Sequence, residues 1–142
     1  FPSDTFINDF APLARAACEK WGEEYGICPE LLESIAYEES RYTADAKSKD
    51  GSCLGLMQIH KASHKQRIKN LEIKDLYDID DNVQVATDYL AELFEEYEEV
   101  STVLMIYHGE KDAVRKGEQG IVSKYAKKVL KRSEALERQH GK

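Results

Sequence analysis

A chain of 142 residues is long enough for one domain with a hydrophobic core, because chains of this size bury about two-thirds of their unfolded surface. Twenty basic and 27 acidic residues give a formal net charge of -7, which repels phosphate backbones and anionic lipid surfaces. Uncharged apolar stretches such as residues 101–107 are far shorter than the roughly 20 residues that cross a bilayer. These properties argue against nucleic-acid binding and membrane insertion.

The first part of the chain predicts two helices. Apolar residues recur every three or four positions from Phe6 to Tyr25, which is typical of an amphipathic helix that ends near Gly26. Pro29 suits the first turn of a second helix, which we predict over residues 29–40. Small and polar residues then predict a loop from residue 43 to residue 51.

The second part of the chain predicts further helices and little β-structure. A short helix is expected at about residues 61–69, and a longer one, capped by Asp80 or Asp81, extends through residues 85–97. A third helix begins at a Ser101 cap and ends near Tyr107, and a last helix carries an apolar stripe over residues 121–130. The predicted fold class is all-α, with at most a small hairpin near residues 48–53. The expected architecture is a single compact helical domain.

The chain has three cysteines, Cys18, Cys28 and Cys53, which form neither a CxxC pair nor a metal quartet. They allow at most one disulfide, and burial as three small apolar residues is an equally good interpretation. If a bridge forms, we favour Cys28 with Cys53, because it would join the start of the second helix to the loop that follows it. Because the chain begins at Phe1 instead of methionine, we expect a trimmed or processed chain from which any leader or anchor has been removed.

No convincing metal motif is present in the sequence. Asp78, Asp80 and Asn82 match the first three ligand positions of a calcium loop, but Val83 stands where the loop requires glycine. The histidines offer one pair at helical spacing and no evident third ligand. We therefore predict no metal and no cofactor.

Two adjacent glutamates, Glu38 and Glu39, end the second helix. The residues three, four and seven positions earlier share a helical face with each glutamate. For Glu39 these residues are all apolar, namely Ala36, Ile35 and Leu32, so Glu39 is predicted to face inward. A carboxyl group on an apolar face is costly to ionise, which favours a protonated general acid near neutral pH. If only the helical pattern is considered, a structural role is the stronger interpretation, in which Glu39 caps loop amides or pairs with Arg41.

The residues that follow Glu39 strengthen the catalytic interpretation. Glu39-Ser40, Ser48, Gly51 and the GLMQI run from Gly55 to Ile59 occur in this order, and Asn82-Val83, Tyr107-His108-Gly109 and a final helix with Tyr125 come later. This order resembles the soluble lytic transglycosylase (SLT) domain family of the lysozyme-like superfamily, and the likeness extends over about residues 29–130. The Gly51–Gly55 loop is one residue longer than the usual form, and His108 stands where the family has asparagine.

The resemblance implies a lysozyme-like α fold with little or no β-structure and a long groove for peptidoglycan glycan strands. It implies one domain over residues 1–142, with an N-terminal helix in 1–27, a catalytic core in 28–130 and the end of the C-terminal helix in 131–142. Glu39 would protonate the β-1,4 glycosidic oxygen between N-acetylmuramic acid and N-acetylglucosamine. It would then take the proton of the muramic acid C6 hydroxyl, which closes a 1,6-anhydro ring without water.

The same resemblance assigns the other site residues. Ser48 would orient Glu39 or contact sugar, and glycines such as Gly55 would let the backbone approach the polysaccharide. The remaining substrate contacts are expected from Met57, Gln58, Tyr107, His108 and Tyr125. Asp45 and Asp50 are the candidates for a second carboxylate, although neither lies in a strong motif.

Two alternative functions stay open. One is a goose-type muramidase that hydrolyses the same bond, and the other is a catalytically weak peptidoglycan-binding component of a secretion, conjugation or phage machine. Since peptidoglycan lies outside the cytoplasmic membrane, we expect a bacterial protein that is secreted or cell-wall associated. We expect a monomer whose partner is the glycan strand.

Overall fold

Helices dominate the structure, a computed structural model that describes residues 10–142. In chain order these residues form α1 (Ala11–Tyr25), α2 (Pro29–Ser40), β1 (Cys53–Leu54), β2 (Ile59–His60), α3 (Lys65–Asn70), α4 (Ile79–Glu96), α5 (Val100–Tyr107), α6 (Ala113–Glu118) and α7 (Lys124–Gln139). The mostly helical, lysozyme-like fold class predicted from the sequence is confirmed. None of the helices within residues 10–142 has the length and apolar character needed to span a bilayer.

The first two helices lie where the sequence predicts them. Helix α1 ends at Gly26, whose φ of 70° is in the left-handed region that glycine adopts without steric cost. Pro29 occupies the first turn of α2, and α2 has the predicted bounds. The predicted start of α1 near Phe6 lies outside the described residues.

Several predicted boundaries in the second part were wrong. Helix α3 begins at Lys65, later than expected, and α6 was not predicted. Asp78, and not Asp80 or Asp81, caps α4, because its Oδ2 accepts a hydrogen bond from the backbone N–H of Asp81 at 2.9 Å. Helix α5 begins one residue before Ser101, so the Ser101 hydroxyl does not cap it.

The small sheet encloses the GLMQ segment. Strands β1 and β2 pair antiparallel with Cys53 opposite His60 and Leu54 opposite Ile59. The small hairpin predicted near residues 48–53 is also present, because Lys47 pairs antiparallel with Leu54 and the Ser48 N–H donates to the Cys53 carbonyl at 3.0 Å. Between β1 and β2, Gly55 and Gln58 have φ values of 80° and 52° and reverse the chain.

Helix α2 is the central element of the core. Its inward positions Leu32, Ile35 and Ala36 are completely buried, and the helix packs against both α1 and α7. Helix α4 packs on α1 from another side. Glu39 therefore lies at the end of the most buried helical face, as its spacing predicts.

The predicted disulfide is not formed. Cys18, Cys28 and Cys53 are all free thiols. Cys28 precedes the first turn of α2, whereas Cys53 lies in β1, near the other end of that helix. A helix of 12 residues is about 18 Å long, which far exceeds the roughly 7 Å that a disulfide can bridge between Cα atoms.

Substitution of Gly55 should destabilise the fold strongly. A Cβ at Gly55 would lie 2.2 Å from Asn82 Nδ2 and 2.3 Å from the Leu76 carbonyl oxygen, in addition to the strain of a positive φ. We expect Gly55→Ala to lower the free energy of unfolding by about 3 kcal/mol in urea denaturation.

Gly51 provides the matched control, because its φ is 76° and a Cβ there would meet nothing within 4 Å. Gly51→Ala should lower the free energy of unfolding by only about 1 kcal/mol, from backbone strain alone. Equal losses in the two variants would contradict the packing role of Gly55.

Candidate active site

Glu39 opens onto a groove of about 750 Å³. Its side chain is 14% exposed, so it is neither sealed in the core nor free in solvent. The groove is bordered by residues from the β-hairpin, from the region of α3, and from α4 and α5: Ser48, Cys53, Gln58, Ile59, His60, Ser63, His64, Arg67, Tyr89, Glu92, Ile106, Tyr107, His108 and Gly109. The cleft predicted beside Glu39, with Gln58 and Tyr107 in its walls, is present.

The neighbouring Glu38 belongs to a different surface. Its carboxylate lies 3.5 Å from Arg132 Nε, in a separate depression of about 560 Å³ that also includes Tyr37 and Arg41. The Arg132 guanidinium lies 3.5 Å from the centre of the Tyr37 ring, which adds a cation–π contact. Of the two adjacent acids, the structure places only Glu39 in the groove.

Two aromatic side chains from the second part of the chain contact Glu39. The Tyr125 hydroxyl donates a hydrogen bond to Glu39 Oε2 at 2.8 Å. His108 Nδ1 lies 3.6 Å from the same oxygen, and the two rings stack at 3.8 Å with an interplanar angle of 5°. The acid is therefore oriented by a stacked pair that no local sequence pattern predicts.

These contacts have electrostatic consequences. Burial, and then the charge of Glu39, raises the pKa of the Tyr125 hydroxyl, so this group stays a hydrogen-bond donor. The contact with Glu39 raises the pKa of His108, although partial burial of the imidazole opposes it. Protonation of His108 would pair a cation with the carboxylate.

The GLMQ segment is held by side chains from three helices. Ser40 Oγ, next to Glu39, donates to the Leu56 carbonyl at 2.6 Å, and the Tyr107 hydroxyl donates to the Met57 carbonyl at 2.8 Å. The buried Asn82 side chain accepts from the Met57 N–H at 2.7 Å and donates to the Leu54 and Leu76 carbonyls. These bonds fix the segment from which Gln58 reaches the groove.

Three predicted groove residues, Gly55, Met57 and Tyr125, are not among the residues that border the groove. Met57 is 0% exposed and belongs to the core, because its backbone is held by Asn82 and Tyr107. Gly55 is also buried, and its missing side chain makes room for the Asn82 amide and not for a polysaccharide. Gln58 does line the groove, and its Nε2 donates to the Gly55 carbonyl at 2.9 Å.

Ser48 borders the groove, whereas the two candidate aspartates do not. Ser48 lines the groove, but its hydroxyl donates to Asp50 Oδ1 at 2.8 Å and accepts from the Cys53 N–H, so it does not orient Glu39. Hydrogen bonds from Ser52, and then from Ser48, lower the pKa of Asp50 to about 2. Neither Asp45 nor Asp50 lies among the residues that border the groove.

Sequence reasoning missed one end of the groove, where Arg67, Tyr89 and Glu92 lie. Arg67 forms ion pairs with Asp88 and, at 2.7 Å, with Glu92, and its guanidinium lies 5.2 Å from the centre of the Tyr89 ring. These side chains come from α3 and α4, which the chain brings together only on folding. Helical spacing alone gave no signal for them.

The histidine pair noted in the sequence does not lie on one helix. His60 is in β2, and His64 precedes α3 and packs against Tyr89 with 4.5 Å between ring centroids. Both border the groove. They extend its polar and aromatic lining away from Glu39.

The fold and the groove define a lysozyme-like protein in which Glu39 lies in the groove. The sequence matches the family model described as Transglycosylase SLT domain over residues 16–130. The chain therefore belongs to the SLT transglycosylase domain family, and membership implies peptidoglycan-related activity of the lytic transglycosylase type. Searches among curated proteins and among solved structures return no match to the sequence.

The pair formed by His108 and Glu39 should make stability depend on pH. Because the folded-state pKa of His108 is raised above 6.5, its contribution is complete below that pH and is lost as pH rises through the folded pKa. We expect the difference in unfolding free energy between the wild type and His108→Asn to shrink from roughly pH 6 to pH 9.

The size of this difference should stay below about 1 kcal/mol, because the His108 side chain is 43% exposed and solvent screens the pair. Urea denaturation of both proteins in one buffer series measures it, since titrating groups that do not contact His108 cancel. A difference that grows with pH would contradict the assigned direction.

Proposed function

We propose that the protein is a lytic transglycosylase that cleaves the β-1,4 bond between N-acetylmuramic acid and N-acetylglucosamine. Glu39 is its single general acid and base, and the product end is a 1,6-anhydro ring. The observation that carries the proposal is the position of Glu39, which lies in the groove, partly shielded from solvent and hydrogen-bonded by Tyr125. Family membership supplies the substrate class.

In the first step, protonated Glu39 donates to the glycosidic oxygen. Because Oε2 accepts the Tyr125 hydrogen bond and lies towards His108, Oε1 is the atom left for proton transfer to the substrate. Stacking of Tyr125 on His108 restrains the donor, so the carboxyl group keeps one orientation through the reaction.

In the second step, ionised Glu39 accepts the proton of the C6 hydroxyl as that oxygen attacks the anomeric carbon. The substrate's N-acetyl oxygen stabilises the cationic centre, so one enzyme carboxylate is sufficient. Among the described residues that border the groove, the other carboxylate is Glu92, and Arg67 already pairs with it. This arrangement favours the single-acid route over one that requires two acids.

The remaining groove residues have proposed roles in holding the glycan. Gln58 and Ser48 present polar atoms in the wall near Glu39, and His108 contacts the sugar beside the acid. Tyr107 holds the GLMQ segment in place, because its hydroxyl donates to the Met57 carbonyl. Tyr125 orients the acid, because its hydroxyl donates to Glu39. Because peptidoglycan is the substrate, we also propose that the protein acts outside the cytoplasmic membrane of a bacterium.

Hydrolysis by a goose-type muramidase mechanism is the second candidate function. The observation that favours it is His108, whose imidazole next to the acid is a group that can position or deprotonate water. A third candidate is a peptidoglycan-binding component with little turnover, which would bind the glycan in the groove without cleaving it.

Product analysis separates these functions. Purified peptidoglycan sacculi are digested with the protein, and the soluble fragments are examined by mass spectrometry. We expect anhydro ends, which are lighter by one water than reducing ends, because the C6 hydroxyl replaces water as the nucleophile. Products that all carry reducing ends would establish hydrolysis, and sacculi that bind the protein but release no fragments would establish a binding role.

Substitution of the two adjacent glutamates tests the acid itself. Glu39→Gln keeps the shape of the side chain but removes the proton donor, so we expect clearing of sacculi to fall by at least about 100-fold. Glu38→Gln is the matched control, because Glu38 pairs with Arg132 outside the groove and should leave clearing within about 2-fold of the wild type. Equal activity of Glu39→Gln and the wild type would reject Glu39 as the acid.

A further inference from the structure

A second group of titratable side chains lies at the far end of α2 from Glu39. Glu30 and Glu33 occupy the first turns of α2, and His140 follows the last residue of α7. His140 Nδ1 lies 2.6 Å from Glu30 Oε2 and 4.0 Å from Glu33 Oε2. One ligand atom from each of the three residues lies within 4.8 Å of the others.

One oxygen of Glu33 lacks a hydrogen-bond partner within this cluster of three side chains. Glu33 is 4% exposed, and its buried Oε2 has no hydrogen-bond partner although it lies next to the imidazole. Burial raises the pKa of Glu33, whereas hydrogen bonds from His140 and Lys142 outweigh burial and lower the pKa of Glu30 to about 2. A buried carboxyl oxygen without a partner is costly, and a proton or a bound cation relieves that cost.

We propose that Glu30, Glu33 and His140 form a binding site for a divalent transition-metal ion, with Zn²⁺ as the best match. One imidazole nitrogen and two carboxylate oxygens are ligands that Zn²⁺ accepts, whereas Ca²⁺ and Mg²⁺ prefer oxygen ligands only. Three protein ligands leave the fourth position of a tetrahedral site to a water molecule.

Zinc binding requires the loss of one proton, the displacement of the Lys142 ammonium group and small shifts of the ligand atoms. The ion replaces the proton that His140 Nδ1 shares with Glu30, and that proton is released to solvent. Lys142 Nζ, 2.9 Å from Glu30 Oε1, is the competing cation, and its side chain is half exposed and free to turn outward. Ligand atoms around a tetrahedral zinc ion are about 3.4 Å apart, so Glu30 and His140 separate slightly while Glu33 moves closer.

The site would connect the same two helices that hold the candidate acid. Helices α2 and α7 run antiparallel, because Glu39 meets Tyr125, Ser34 Oγ donates to the Val129 carbonyl, and Glu30 meets His140. A metal at the third contact would join the start of α2 to the end of α7. Its role is therefore structural, and it is independent of the reaction proposed for the groove.

Zinc binding by the tag-free protein tests the proposal. ZnCl₂ is titrated into the metal-free protein against a chromophoric chelator, and thermal unfolding is followed with and without Zn²⁺. We expect one Zn²⁺ per chain and a rise in Tm of roughly 5 °C. Glu33→Gln and His140→Gln should each weaken binding by about 100-fold or more, because each removes a direct ligand.

A control and a second measurement guard against adventitious binding and misfolding. His60→Gln removes an exposed histidine in the groove and should leave binding unchanged. Circular dichroism of the metal-free Glu33→Gln protein should match the wild type, because glutamine preserves the volume of the side chain. Absence of Zn²⁺ binding by the wild type, or equal binding by a folded Glu33→Gln variant, would overturn the proposal and leave the group as a buried ion pair.

Discussion

The constraint on which this structure depends is that α2 must bury an apolar face and still carry a carboxyl group in its last turn. Leu32, Ile35 and Ala36 are completely buried on that face, and Glu39 continues it at the point where the core meets the groove. The Tyr125 hydrogen bond gives the acid a partly buried polar partner. The core that stabilises the fold therefore also determines where the acid lies.

The conformation of the GLMQ segment follows from a second constraint, because its buried backbone N–H and C=O groups must form hydrogen bonds. The GLMQ segment turns sharply and would leave its peptide groups unpaired, but Asn82, Tyr107 and Ser40 bind them. This explains why Gly55 and Met57 are buried although Gln58, which follows Met57, lines the groove. The segment serves as a rigid support, and few of its side chains are free to meet a ligand.

The sequence predicted the helical fold class and the bounds of α2, because periodic apolar residues and the proline at residue 29 are local signals. The inward position of Glu39 followed from the same periodicity. Helix caps were predicted less well, since Asp78, Asp80 and Asp81 are equally suited by type and only the backbone geometry selects Asp78. The Cys28–Cys53 pairing, which was favoured if a bridge forms, is absent because the two thiols lie near opposite ends of α2, whose length the sequence had already predicted.

By itself, the sequence determined which face of each long helix is apolar and that one of two adjacent glutamates faces the core, because both follow from 3.6 residues per turn. Only the tertiary structure decided that His108 and Tyr125 stack beside Glu39, that Arg67 and Tyr89 extend the groove, and that His140 meets Glu30. Those partners are separated by tens of residues along the chain. Their contacts depend on how helices pack, and packing is set by the whole core and not by any local pattern.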